Sequence, residues 1–152
     1  MIARERHRSG RRKGIPDKRI GDQSALETDL EGIAGEIVVA KALNLFPDFE
    51  IDHQPAADLL THDGRWIDVK ATVYTSGRLL AAPWKTEDGV DWFVLVIGRF
   101  PEYRIAGAMP AGRLLRPERL KDLGRGPGYA VDQAELVPFD QAFDVPVISP
   151  PA

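Results

Sequence analysis

Ala57-Asp58-Leu59-Leu60-Thr61-His62-Asp63-Gly64-Arg65-Trp66-Ile67-Asp68-Val69-Lys70-Ala71-Thr72 is the stretch that decides how this chain is built. Ala57 to Thr61 reads as one strand and Arg65 to Thr72 as its antiparallel partner, joined through His62-Asp63-Gly64. The second strand alternates, with Trp66, Asp68, Lys70 and Thr72 on one face and Ile67, Val69 and Ala71 on the other. Register then decides where Asp58 points. A two-residue turn at Asp63-Gly64 sets Asp58 opposite Val69, on the wrong face. A three-residue loop with Gly64 in the left-handed conformation sets it opposite Asp68, and this register is the expectation.

Upstream, Ser24-Ala25-Leu26-Glu27 and Thr28-Asp29-Leu30-Glu31 both have capping-box spacing, so a helix starts at one of them and runs to about Leu45, before Pro47. It is apolar on almost every side, which fits a helix covered by the rest of the domain. Gly32 and Gly35 lower its propensity but let another backbone come close. Glu36 projects between Ala40 and Leu43, inside the apolar arc, where a carboxylate is expensive unless paired or holding a metal.

Downstream, Phe49-Glu50-Ile51 is a short strand candidate, and residues 73–90 read as a polar loop. Trp92-Phe93-Val94-Leu95-Val96-Ile97 has the continuous apolar character of a central strand buried on both faces. Tyr103 to Met109 should pair with it, Leu114 to Leu123 looks helical despite Pro117, and Tyr129-Ala130-Val131 is one further strand. Gly124-Arg125-Gly126-Pro127-Gly128 lacks the lysine and the strand–helix frame of a phosphate-binding loop, so it is a turn. This order gives a single-domain α/β sandwich with a central mixed β-sheet flanked by helices. The expected division is a basic, flexible arm at 1–21, a core at 22–123 and a Gly/Pro-rich C-terminal extension at 124–152.

Clustered carboxylates repel one another, and a hard, oxygen-preferring divalent cation relieves that repulsion. Such an ion polarises a phosphoryl oxygen, and a neighbouring lysine orients water or offsets transition-state charge. Asp58, Asp68 and Lys70 with Glu36 therefore suit phosphodiester hydrolysis. The bland reading makes Asp68 and Lys70 an ordinary polar strand face, and Glu36 the partner of an arginine.

Asp58, then Asp68-Val69-Lys70 on the next strand, with Gly35-Glu36 in the preceding helix, resembles the PD-(D/E)xK nuclease superfamily, and within it the small Holliday-junction-resolvase-like and phage-type members. The resemblance covers about Gly32 to Met109. It implies a restriction-endonuclease-like fold and a Mg²⁺- or Mn²⁺-dependent deoxyribonuclease, an endonuclease directed to branched or duplex DNA, working as a homodimer where both strands are cut. It further implies that Glu36, Asp58, Asp68 and the carbonyl of Val69 hold one or two ions, with Lys70 the catalytic lysine and a water activated by the ion attacking in line. Two positions depart from the family pattern: Ala57 stands where proline is usual, and the acid before Lys70 is aspartate, whose carboxylate reaches less far than glutamate.

Composition sets the outer bounds. The chain has 152 residues, 43% hydrophobic and 28% charged, which suits one soluble domain. With no cysteine, disulfides and thiolate metal sites are excluded. His53 and His62, with no further histidine nearby, do not make a zinc site. No apolar run reaches the roughly 18–20 residues needed to span a bilayer, and no apolar segment follows the N-terminal arginines, so no membrane partner and a cytoplasmic location are expected. The net charge of −3 conceals a basic arm on an acidic body. Arg4, Arg6, Arg8, Arg11, Arg12, Lys13, Lys18 and Arg19 of the arm, with Arg78 and Lys85 of the loop, are the expected DNA contacts. Tyr74, Ser76 and Trp84 share that loop and could stack on exposed bases. Two other readings compete: an inactive nuclease-fold module for DNA binding or for assembly of a nucleoprotein or virion complex, and an interaction protein that docks basic partners on its acidic body.

Overall fold

The computed structural model of the protein describes residues 25–45 and 56–145. The basic arm, His53 and the strand expected at Phe49-Glu50-Ile51 lie outside the described residues. Helix α1 spans Ala25–Ala42, starting one residue after Ser24, where the first capping-box pattern begins. It stops before Pro47 is reached. Asn44 takes a positive φ of 55°, Leu45 N–H donates to Ala40 at 2.8 Å and Asn44 N–H donates to Lys41 at 3.2 Å. That is a Schellman-type end, satisfying carbonyls the last turn leaves without partners.

The main sheet contains β1 (Leu59–Leu60), β2 (Trp66–Thr72), β4 (Trp92–Arg99) and β5 (Glu102–Pro110), in the order β1-β2-β4-β5. β2 and β4 are parallel, and the outer pairs are antiparallel, so the sheet is mixed. A second, three-stranded antiparallel sheet has the order β3-β7-β6, from β3 (Leu79–Ala81), β6 (Leu120–Asp122) and β7 (Pro127–Val131).

β4 explains the layering. Val94 and Val96 face α1 and pack with Val39, Ala40, Leu43, Ile67 and Val69. Phe93, Leu95 and Ile97 face the other way and pack with Leu79, Ala81 and Val131 of the second sheet. A strand buried on both faces needs apolar residues at every position, which is what its sequence supplies. α1 comes close because Gly35 has no side chain: a Cβ there would stand 3.1 Å from Cβ of Ala71 and 3.4 Å from Cγ1 of Val69.

The architecture is mixed α/β as expected, but helices do not flank both faces of the main sheet. The second sheet covers the face away from α1. The helix expected over Leu114 to Leu123 is replaced by a one-turn helix α2 (Ala111–Leu114), a 3₁₀ turn at Pro117–Arg119 and strand β6. α2 ends at Leu114, and Pro117, which lacks an N–H, follows an extended Arg116 at φ −113° and ψ 147°, so no helix runs on through this point. The stretch read as a loop at 73–90 contains β3. Residues 124–145, read as an extension, supply β7, the one-turn helix α3 (Phe139–Ala142) and the buried Phe143. Gly124 and Gly126, both at positive φ, sit in the turn that pairs β6 with β7. No helix among the described residues is long and apolar enough to cross a membrane.

Candidate functional site

The hairpin turn fixes the register on which everything else depends. Gly64 has φ +87°, its N–H donates to Thr61 at 3.0 Å, and Thr61 N–H donates to Arg65 at 2.8 Å. The Thr61 hydroxyl donates to Asp63 and accepts the Arg65 N–H at 2.9 Å. Hydrogen bonds from the Thr61 hydroxyl and from Nε of Arg65, the latter at 3.2 Å, hold the Asp63 carboxyl below its ordinary value. Arg65 in turn donates to the Ala142 carbonyl at 2.9 Å and lies 4.7 Å from the Phe143 ring centroid, tying the turn to the C-terminal part of the fold. His62 is exposed in this turn, with Nε2 3.0 Å from the Asn44 carbonyl.

Leu59 pairs with Ile67 and Leu60 with Trp66. The pairing stops at Leu59, short of the expected match of Asp58 with Asp68: the Asp58 N–H donates instead to the Ile67 carbonyl at 2.9 Å. A side chain ties Asp58 further along β2 as well: its carboxylate accepts the Val69 N–H at 2.7 Å. Because the N–H and C=O of one strand residue face the same edge, the Val69 carbonyl faces that edge too.

Asp68 is 5% exposed. Its Oδ1 lies 3.1 Å from Nζ of Lys70, on the same face of β2, and its Oδ2 lies 2.8 Å from Nζ of Lys85. Glu36, also 5% exposed, points from α1 into the same electrostatic neighbourhood. The Asp58 carboxyl is pushed up to about 8, first by desolvation, then by the negative charges of Asp68 and Glu36. The Val69 N–H and Lys70 only partly offset this. The helix and hairpin thus bring Glu36, Asp58, Asp68 and Lys70 into one charge cluster.

Lys85 is where the sequence reading needs correcting. Read as a loop cation for DNA, it instead closes the carboxylate cluster, donating to the Ala56 carbonyl at 2.7 Å as well as pairing with Asp68. The β-turn closed by Lys85 N–H on the Ala82 carbonyl at 3.0 Å brings it in from the β2–β4 crossover. A lysine in a polar loop carries no local mark of that destination. Arg78, Tyr74 and Trp84 are exposed, as loop contacts require, and Arg4 to Arg19 lie outside the described residues.

The donor chemistry suits a hard divalent ion: three carboxylates and a strand-edge carbonyl, with one carboxyl destabilised by the negative charge of the others. The lysines currently occupy both oxygens of Asp68. In this arrangement no group of three His, Cys, Asp or Glu side chains among the described residues is close enough together to hold a metal ion.

One basic feature was not legible in the sequence. Arg113, Arg116, Arg119 and Lys121 line a groove of about 430 Å³ together with Glu118 and Glu135. Nε of Arg116 donates to the Gly112 carbonyl and Nε of Arg119 to the Arg113 carbonyl, each at 2.9 Å, so backbone contacts hold both guanidinium groups in place. No family model matches the chain, and no curated protein matches it significantly.

Proposed function

We propose that the protein is a divalent-metal-dependent deoxyribonuclease with a restriction-endonuclease-like core, cutting phosphodiester bonds of branched or duplex DNA. The carrying observation is the carboxylate cluster at the hairpin: Asp58 on the Val69 N–H, Asp68 paired with Lys70, and Glu36 buried from α1, with the charges of Asp68 and Glu36 both acting on Asp58. Buried like charges are costly unless a cation answers them, and that cost is the support for an ion at this point.

Glu36, Asp58, Asp68 and the Val69 carbonyl would hold Mg²⁺ or Mn²⁺. When bound, the ion supplies polarisation of a phosphoryl oxygen and acidification of water. The protein's own groups do the rest. Asp58 keeps one oxygen on the Val69 N–H, which fixes the angle of its carboxylate. Asp68 orients Lys70, whose side chain is 39% exposed and so within reach of a substrate phosphate. Its ammonium orients the attacking water and offsets the charge that builds on the phosphoryl oxygens.

The test is cleavage of labelled branched and linear DNA in Mg²⁺ or Mn²⁺, with Asp68→Ala and Lys70→Ala alongside. Metal-dependent cutting by the wild type should fall by about a thousandfold or more in both variants. Lys70→Ala should retain DNA affinity, and full-rate cutting by it sinks the assignment.

A second reading has its own observation. With both Asp68 oxygens on lysines, the same fold could serve as a binding module without turnover. Salt-sensitive DNA binding with no cleavage by the wild type on any substrate selects that reading.

A further inference from the structure

Two lysines on one aspartate is more cation than that aspartate needs. Lys70 already answers Oδ1 of Asp68 at 3.1 Å, so the second contact, Lys85 on Oδ2 at 2.8 Å, has to be explained by the pocket as a whole. The pocket holds Glu36, Asp58 and Asp68, and the negative charges of Glu36 and Asp68 act on Asp58. Glu36 and Asp68 together call for more positive charge than Lys70 alone supplies.

Lys85 is built to meet that demand and to give way. Its side chain is 21% exposed, and its Nζ is anchored by the Ala56 carbonyl at 2.7 Å, independently of Asp68. Nζ also lies 6.0 Å from the centroid of the Phe93 ring. The ammonium therefore keeps a hydrogen-bond acceptor when it leaves the carboxylate. It rides on a flexible four-carbon stem from a surface turn, next to Trp84, which is 63% exposed. Neither β2 nor β4 has to move for Lys85 to retreat.

We propose that Lys85 is the resident counter-ion of the carboxylate pocket, occupying the oxygen of Asp68 that a divalent cation takes on binding. This rests on the metal-dependent reading of the pocket. Lys85 then has two effects. It neutralises the cluster in the cation-free protein, and it weakens cation binding, because an arriving ion must displace it or share the oxygen with it. It is a positioning residue acting through Asp68, distinct from Lys70, whose more exposed ammonium faces substrate.

The experiment is equilibrium Mn²⁺ binding, followed by the loss of the free-ion paramagnetic resonance signal, for wild type, Lys85→Met, Lys85→Gln and Lys85→Arg. Lys85→Met removes the charge at similar length. Lys85→Gln keeps a donor for the Ala56 carbonyl and tests the same point should the methionine variant fail to fold. Both uncharged variants should bind Mn²⁺ about tenfold more tightly or better, because one positive charge next to the ion is gone. Lys85→Arg should stay near wild type. Thermal melts without metal should show the uncharged variants less stable than wild type, with the difference closed by Mn²⁺. Binding by Lys85→Gln equal to or weaker than wild type overturns the counter-ion role and leaves the metal site standing. No Mn²⁺ binding by any of the four proteins overturns the metal reading itself, and this proposal with it.

Discussion

The two faces of strand β2 are built from alternate residues of one short segment, yet they solve opposite problems. On one face Ile67 and Val69 press against Val39, Ala40 and Leu43 of α1 in a dry, apolar layer. On the other face Asp68 is almost as deeply buried, but it is held by charge, between Lys70 and Lys85. The first face gains stability from area removed from water. The second gains little, because desolvating ions consumes most of what their attraction returns. A protein that needed only to fold could have placed an aliphatic residue at position 68. The charged face is the one whose presence calls for a function.

The largest test of this contrast is Ile67→Ala. Ile67 is fully buried against α1, and removing its outer carbons should cost about 3–4 kcal/mol, read by urea denaturation. Mn²⁺ affinity of the folded variant should stay near the wild-type value, since position 67 lies on the face of β2 opposite Asp68 and Lys70. A large fall in affinity without loss of fold would mean that the two faces are mechanically coupled, and the division drawn here would fail.

The charged face should make stability depend on pH in a specific direction. Asp58 has a folded-state value near 8 against 3.8 in an unfolded chain. Between those values the native state keeps a proton that the unfolded state has lost. Stability therefore falls as pH rises through this window, with a slope of up to ~1.4 kcal/mol per pH unit, and the penalty is complete above about pH 8. Asp58→Asn retains an acceptor for the Val69 N–H and has no charge to desolvate. It should lose most of that dependence, so its advantage over wild type grows between pH 6 and pH 8 in urea melts. Parallel pH profiles for the two proteins would show that Asp58 is not strained by its neighbours.

Much of this contrast was legible in the sequence, and the reasons are local. Alternation over Trp66 to Thr72 separates the two faces without any tertiary knowledge, and Gly64 after Asp63 selects the three-residue loop, though not the departure of Asp58 from the register that loop sets. Glu36 stood out because helical periodicity placed a carboxylate in an apolar arc. Lys85 could not be found that way, since a turn residue has no period to obey and its partner lies across a crossover. The second sheet was missed for a related reason: β3 and β6 are three residues each, too short to show alternation. Pro117 does carry a legible signal against a helix running through to Leu123.

The smallest expected effects come from α1 itself, where two glycines test how tightly the apolar face is closed. Among the described residues no atom lies within 4 Å of a Cβ built on Gly32, whereas one on Gly35 meets Ala71 at 3.1 Å. Both are helical positions, so alanine gains up to ~1 kcal/mol in propensity at either. At Gly32 nothing opposes that gain, and Gly32→Ala should raise the urea midpoint by a corresponding amount. At Gly35 the contact with Ala71 requires β2 or α1 to yield by a few tenths of an ångström, and both are packed into a close-fitting layer. Gly35→Ala should therefore fall below Gly32→Ala in stability, by around 1 kcal/mol or more. Equal gains at the two sites would mean that α1 does not seat closely on β2. Glu36, the next residue, would then lose the argument that places it firmly beside Asp58.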